Sequence, residues 1–135
     1  MIEASFTVYH HRARQLAGAM ELCQDGMPEY ASAAALLAVH SAISYSDALL
    51  IGLGGARPRG ENHREAITEL RGACTRAKVE PQGITQLQKL LSAKTDISYG
   101  EKPVDEDRIT ALCIAAKRFE KWVEQVLHSR EGRLS

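Results

Sequence analysis

Residues 30–53, YASAAALLAVHSAISYSDALLIGL, constrain this chain more than any other stretch, because no other long segment carries so little charge. Length and composition together would suit a membrane span, which needs about 20 apolar residues. His40, Asp47 and four serines lie inside it, however, and no second segment of the kind follows. It is therefore read as the buried central helix of a helical domain, with no membrane involved. At about 100° per residue, His40, Ser44 and Asp47 fall on one side of that helix, within about 60° of one another, flanked by Leu36, Leu37, Ile43 and Ile51. An unpaired polar group in apolar surroundings costs about 2–7 kcal/mol, so this seam is expected to pair within itself, or to meet water, a ligand or a second subunit.

The rest of the chain has to cover that helix. Its 135 residues suit a single domain spanning 1–135. Lysine plus arginine equals aspartate plus glutamate, 17 of each, so net charge steers the protein toward neither nucleic acid nor an anionic membrane. Any anion site must come from local clustering. Cys23, Cys74 and Cys113 are odd in number, far apart and without a CxxC pair, which predicts reduced, buried thiols. The opening MIEASFTVYHHRARQ has no apolar run after a basic start, which predicts a cytoplasmic protein.

Spacings of three and four recur along the whole chain. Phe6, Tyr9, Ala13, Leu16, Met20 and Cys23 predict a first helix over 5–24, closed at Asp25-Gly26 by a left-handed glycine, with Pro28 in the first turn of the second helix. The second helix stops near Gly52, Gly54 and Gly55, and GGARPRG reads as the main loop. Asn62 with Glu65 resembles a capping box that opens a third helix over 63–76. Ile84, Leu87, Leu90 and Leu91 predict a short fourth helix ending near residue 94. KTDISYGEKP then reads as a break. Asp105, Glu106 and Asp107 place negative charge at the start of a long last helix that carries Ile109, Leu112, Ala116, Phe119, Val123 and Val126. No run alternates with period two. The expected fold is all-α: an up-down bundle of four main helices plus one short one.

With the helices in this order, the chain resembles the HEPN domain family, small all-α proteins associated with nucleotides. The residues that carry the resemblance are SYSDALLIGLGG at the end of the second helix, the histidine of GENHREAITEL, KTDISYG, and VDEDRITALCIAAKRFEKWVEQVL, with Ala116 and Phe119 as the core pair of the closing helix. The resemblance implies a HEPN-like bundle, a homodimer, a nucleotidyltransferase-type partner and, in some members, metal-independent ribonuclease activity. Those nucleases carry an arginine followed four to six residues later by a histidine. Here Lys94 stands in the arginine position, Ser98 in the acidic one, and no histidine follows until His128. A point charge replaces a planar phosphate fork, and the base that would work near neutral pH is missing there.

Three clusters are candidate sites. Lys94, Asp96, Ser98 and Tyr99 either bind a phosphate or an acidic partner, or form a local network that pins the turn before the last helix. Arg57, Arg59, His63 and Arg64, beside three glycines and a helix start, either hold an anion or form a solvated loop. Arg57 and His63 have the nuclease spacing but lie in the wrong loop for that family. The seam of His40, Ser44 and Asp47 is the third. His10, His11 and His128 have no metal-ligand spacing, and no metal or cofactor is expected. These readings lead to a HEPN-like interaction module, dimeric, binding a nucleotide or a nucleotidyltransferase-type partner in a toxin–antitoxin or stress-related pair. The alternatives are a divergent RNA endonuclease using Lys94 and Tyr99 or Arg57 and His63, and a purely structural dimer.

Overall fold

Helix α2, Ala31–Gly52, touches every other helix of the bundle. A computed structural model describes residues 2–56 and 63–134, with the side chains of 2–4, 63 and 131–134 left aside. Around α2 stand α1 (Ile2–Asp25), α3 (His63–Ala77), α4 (Ile84–Tyr99) and α5 (Glu106–Leu134), and no strand occurs among the described residues. The all-α expectation holds. By length and composition α2 is the one described helix that could cross a membrane, but 78% of its most apolar window is buried against its neighbours. Its apolar faces are used up inside the bundle.

Helix α1 runs antiparallel to α2, with Phe6 beside Gly52 and His10 beside Tyr45. The turn between them, with a cis Met27–Pro28 peptide, is held by bonds from Gly26 N to Cys23 O and from Tyr30 N to Gly26 O, both 3.1 Å. Gly26 is not left-handed, contrary to expectation. It is needed because the Tyr30 ring occupies the space of a Cβ. Pro28 likewise sits in the turn rather than inside α2, whose first residue is Ala31.

The end of α2 follows from hydrogen-bond bookkeeping. Gly54 adopts φ 88° and donates to Ile51 O, while Gly55 donates to Leu50 O, each at 2.9 Å. This is a Schellman closure, which satisfies carbonyls that the helix itself leaves without partners. Asp105 closes the opposite kind of end. Its carboxylate accepts from Asp107 N at 3.1 Å and its carbonyl from Ile109 N at 3.0 Å, making it the N-cap of α5.

The fourth helix is longer than its sequence predicts. It runs to Tyr99 and has 16 residues, one more than the 15 of α3, so α4 is not the short helix expected among the described residues. The segment 94–99 lacks glycine and proline, and half-buried Ile97 packs against the core, which outweighs the modest helix propensity of Thr95 and Asp96. Helix α4 runs antiparallel to α5: Gly83 lies under the Trp122 ring at one end, and Asp96 meets Arg108 at the other. Helix α5 runs alongside α2 in the same direction, with Cys113 reaching Ala34 O and Leu127 reaching Gly52. Leu49, Leu50, Leu70, Ile84, Leu87, Leu90, Ile109, Phe119 and Val123 fill the core between α2, α3, α4 and α5. Each contributes about 1.5–3 kcal/mol on burial, before chain entropy is subtracted.

Candidate functional site

Because α4 continues to Tyr99, the first candidate cluster sits on a helix end and not in a loop. There its members separate. Asp96 turns toward α5, where Arg108 Nη1 and Nη2 lie 3.4 and 3.5 Å from Oδ2. Tyr99 is 81% exposed, while Ser98 Oγ is buried with no hydrogen-bond partner. One exposed contact spans the turn, and it is made by Arg108 rather than by Lys94 or Tyr99, which the local-network reading expected. Arg108 gave no signal in the sequence, since pairing across a helix corner depends on where α4 stops.

Lys94 is half-buried on α4, and its charge acts on His40 of α2. Partial burial of the His40 ring, with the Lys94 charge as the second cause, holds its imidazole below the ordinary value. The ring is therefore predominantly neutral at pH 7. This links residues from two separate candidate clusters, one of which, the α2 seam, is itself divided. His40 is exposed, whereas Ser44 and Asp47 are buried at 6% and 8% exposure. The three do not form one buried seam. The C-terminal half of α2 is enclosed from Ser44 to Ile51, while its N-terminal half leaves Ser32, Ala33, Leu36 and His40 open.

Of the glycine-loop cluster, Arg57 and Arg59, like the expected cap Asn62, lie outside the described residues. His63 opens α3 as expected, with its side chain outside the description, and Arg64 beside it is exposed.

Two features were missed in the sequence. One lies where α1 and α5 approach over α2. His10 Nε2 stands 2.8 Å from Glu124 Oε1, and its ring packs against Phe6 (5.2 Å between centroids) and edge-on to Tyr45 (6.1 Å). One turn earlier on α5, Glu120 is pushed above the ordinary carboxylate value, first by burial and then by the charges of Glu21 and Glu124. Tyr45 is pushed above the ordinary phenol value, chiefly by burial. Lys117 stands 3.9 Å from Glu21 on the same flank. His10 could have been found, because it sits four residues after Phe6 and three before Ala13, inside the apolar stripe of α1. Glu124, 114 residues away, could not.

The other feature is an open groove of about 620 Å³ between α4 and α5. Ala93, Ala111, Leu112 and Ala115 form its floor, and Lys89 and Arg108 are its cations, with Thr85, Gln88 and Ser92 along the α4 lip. Small floor residues keep the groove open, since larger ones would fill it. Among the described residues no three His, Cys, Asp or Glu side chains cluster as metal ligands. Cys74 and Cys113 are buried, and burial pushes both thiols up, away from the reactive thiolate; Cys23 is half-buried.

No protein-family model matches the chain, and no curated protein is similar to it.

Proposed function

We propose that this protein is a HEPN-like helical interaction module. In this reading it acts as a homodimer and binds a nucleotide or a nucleotidyltransferase-type partner in a toxin–antitoxin or stress-related pair. The observation that carries the binding role is the α4/α5 groove, where two cations border an apolar floor. Phosphate oxygens or partner carboxylates would take Lys89 and Arg108, and a flat apolar group would rest on Ala111 and Ala115. Arg108 is held only loosely by an exposed carboxylate, so it can turn to a ligand at small cost. The resemblance of the helix order and of the closing helix supports the HEPN part of the reading.

Titration with ATP, GTP and AMP to millimolar concentration, followed by amide chemical shifts, tests the nucleotide arm. Shifts are expected along the groove, weakened at least tenfold in the Lys89→Ala/Arg108→Ala protein. An unperturbed groove with all three would remove nucleotide binding from the proposal and leave only the protein partner, to be sought by co-expression with the neighbouring reading frame.

One observation favours a second reading, the divergent RNA endonuclease. His40 is exposed on α2 and within electrostatic range of Lys94 on α4, so a neutral imidazole that can act as a base and a cation that can hold a phosphate would serve attack by a 2′-hydroxyl. His40 and Lys94 would fill these roles, in place of the Arg57–His63 or Lys94–Tyr99 pairs suggested by sequence. Cleavage of single-stranded RNA without metal, lost in His40→Ala and in Lys94→Ala, would replace the first reading with this one. A rate equal to the buffer control would eliminate it.

A further inference from the structure

The outward arc of α5 is a stripe with heptad spacing: Asp107, Thr110, Ala111, Ile114, Lys117, Arg118 and Lys121, all exposed. Positions three, four and seven apart lie along one side of a helix, so these side chains form a continuous strip and not a scatter. Ile114, 44% exposed, is at its midpoint, and it is the one large apolar side chain on the strip. The strip is polarised about that point. Asp107 stands on the N-terminal side, directly after the exposed Asp105 and Glu106, and three cations stand on the C-terminal side.

Polarity of this kind determines which way two such strips can meet. Laid parallel, Lys117, Arg118 and Lys121 of one copy would face the same cations of the other, which is repulsive. Laid antiparallel about Ile114, residues equidistant from it in opposite directions come together. Asp107 then faces Lys121, Thr110 faces Arg118, and Ala111 faces Lys117. Every cation meets a carboxylate, a hydroxyl or a methyl group. The helix dipoles also oppose each other in the favourable sense.

We infer that two copies of this chain pair through α5, antiparallel, with Ile114 on the two-fold axis. The inference rests on the dimeric reading above and names its surface. The contact is isologous, the same strip on both copies, as a two-fold axis requires. The long stems of Lys117 and Lys121 would cover the Ile114 pair while their ammonium groups stay in water. With one large apolar residue per copy the interface is at the small end of specific contacts, so the dimer dissociates in about the micromolar range. The strip borders the α4/α5 groove and shares Ala111 with it, so pairing covers that edge of the groove, while Thr85, Gln88 and Lys89 on the α4 lip lie outside the strip.

Sedimentation equilibrium of the full chain, from about 1 to 200 μM at low salt, tests this, with circular dichroism to show that each variant is folded. The wild type is expected to show a monomer–dimer equilibrium. Ile114→Glu, an exposed change, should leave the fold intact and the chain monomeric. Lys121→Asp and Asp107→Lys should each weaken pairing at least tenfold. Combined in one chain they should restore it, because the pair is reversed on both copies at once. A dimer unaffected by all these changes overturns the α5 surface and leaves the dimeric reading standing. Single variants that weaken pairing without rescue in the double overturn the antiparallel register. A wild type that stays monomeric throughout overturns both the inference and the dimeric reading.

Discussion

The α1 side and the α4/α5 side of the bundle are packed on opposite principles. Where α1 meets the first half of α2, the buried side chains are mostly alanines: Ala13 and Ala17 on one helix, Ala31, Ala34, Ala35, Ala38 and Ala42 on the other. Where α4 and α5 cover α2, the buried side chains include Leu49, Leu50, Ile84, Leu87, Leu90, Ile109 and Phe119. Alanine loses no rotamer freedom on burial and lets helix backbones approach closely, but it removes little apolar surface from water. Leucine and phenylalanine remove much more and must fit each other's shapes. The alanine side should therefore be sensitive to growth of a side chain, and the large-residue side to its truncation.

Phe119→Ala should break the bundle most severely. The ring is fully buried and packs 5.7 Å from the Trp122 ring, so a loss of about 3–5 kcal/mol is expected in urea unfolding. A loss below ~1.5 kcal/mol would mean that the two sides do not differ as described. Growth should cost less than this but still be costly where space is closed. Gly83→Ala would drive a methyl into the Trp122 ring, and Ala13→Leu would force α1 from α2; each should cost about 1–3 kcal/mol. Truncation on the alanine side should cost least, with Ala13→Gly losing about 0.5–1 kcal/mol, mostly through backbone entropy. If Ala13→Gly cost more than Ala13→Leu, the contrast would be reversed.

The charged contacts over the alanine side predict a pH signature rather than a large energy. Glu120 titrates above the ordinary glutamate value in the folded protein, so the folded state binds more protons than the unfolded one across that window. Its contribution therefore falls as pH rises from the ordinary carboxylate value upward, and Glu120→Gln should raise the melting temperature at pH 7 but not at pH 4. His40 acts in the opposite sense. Its folded value is depressed, so the unfolded state takes up protons first and stability falls as pH drops below the ordinary imidazole value. His40→Gln should flatten the melting curve between about pH 5 and 6.5. Differential scanning calorimetry at several pH values separates these contributions.

Much of the fold was legible because helical periodicity is local. The stripe of α5 from Ile109 to Val126, the glycine stop near Gly54 and the acidic start at Asp105 each follow from residues within a few turns of one another. The errors came where the deciding neighbour is distant. Segment 94–99 reads as a break from its own residues, yet it is helix because Ile97 is covered by the core. Nothing near Gly83 along the chain shows why glycine stands there; what requires it is Trp122, 39 positions later. The candidate sites were harder still, since a site is defined by proximity and not by spacing. His40 and Lys94, His10 and Glu124, and Asp96 and Arg108 each join different helices, and no pattern along the chain encodes these pairs.

The apolar stretch with which the chain is organised shows the same division. Its composition alone determined that residues 31–52 form a helix needing cover on most sides, because exposing that much alanine and leucine to water is unfavourable and Asp47 is the one carboxylate within it. Only the packing of the other helices decided where cover ends. It encloses Ser44 and Asp47, leaves His40 exposed within range of the Lys94 charge, and turns the basic strip of α5 outward. Periodicity assigns a residue to a face of its own helix. Whether that face is buried, paired or left for a partner depends on the helices laid against it.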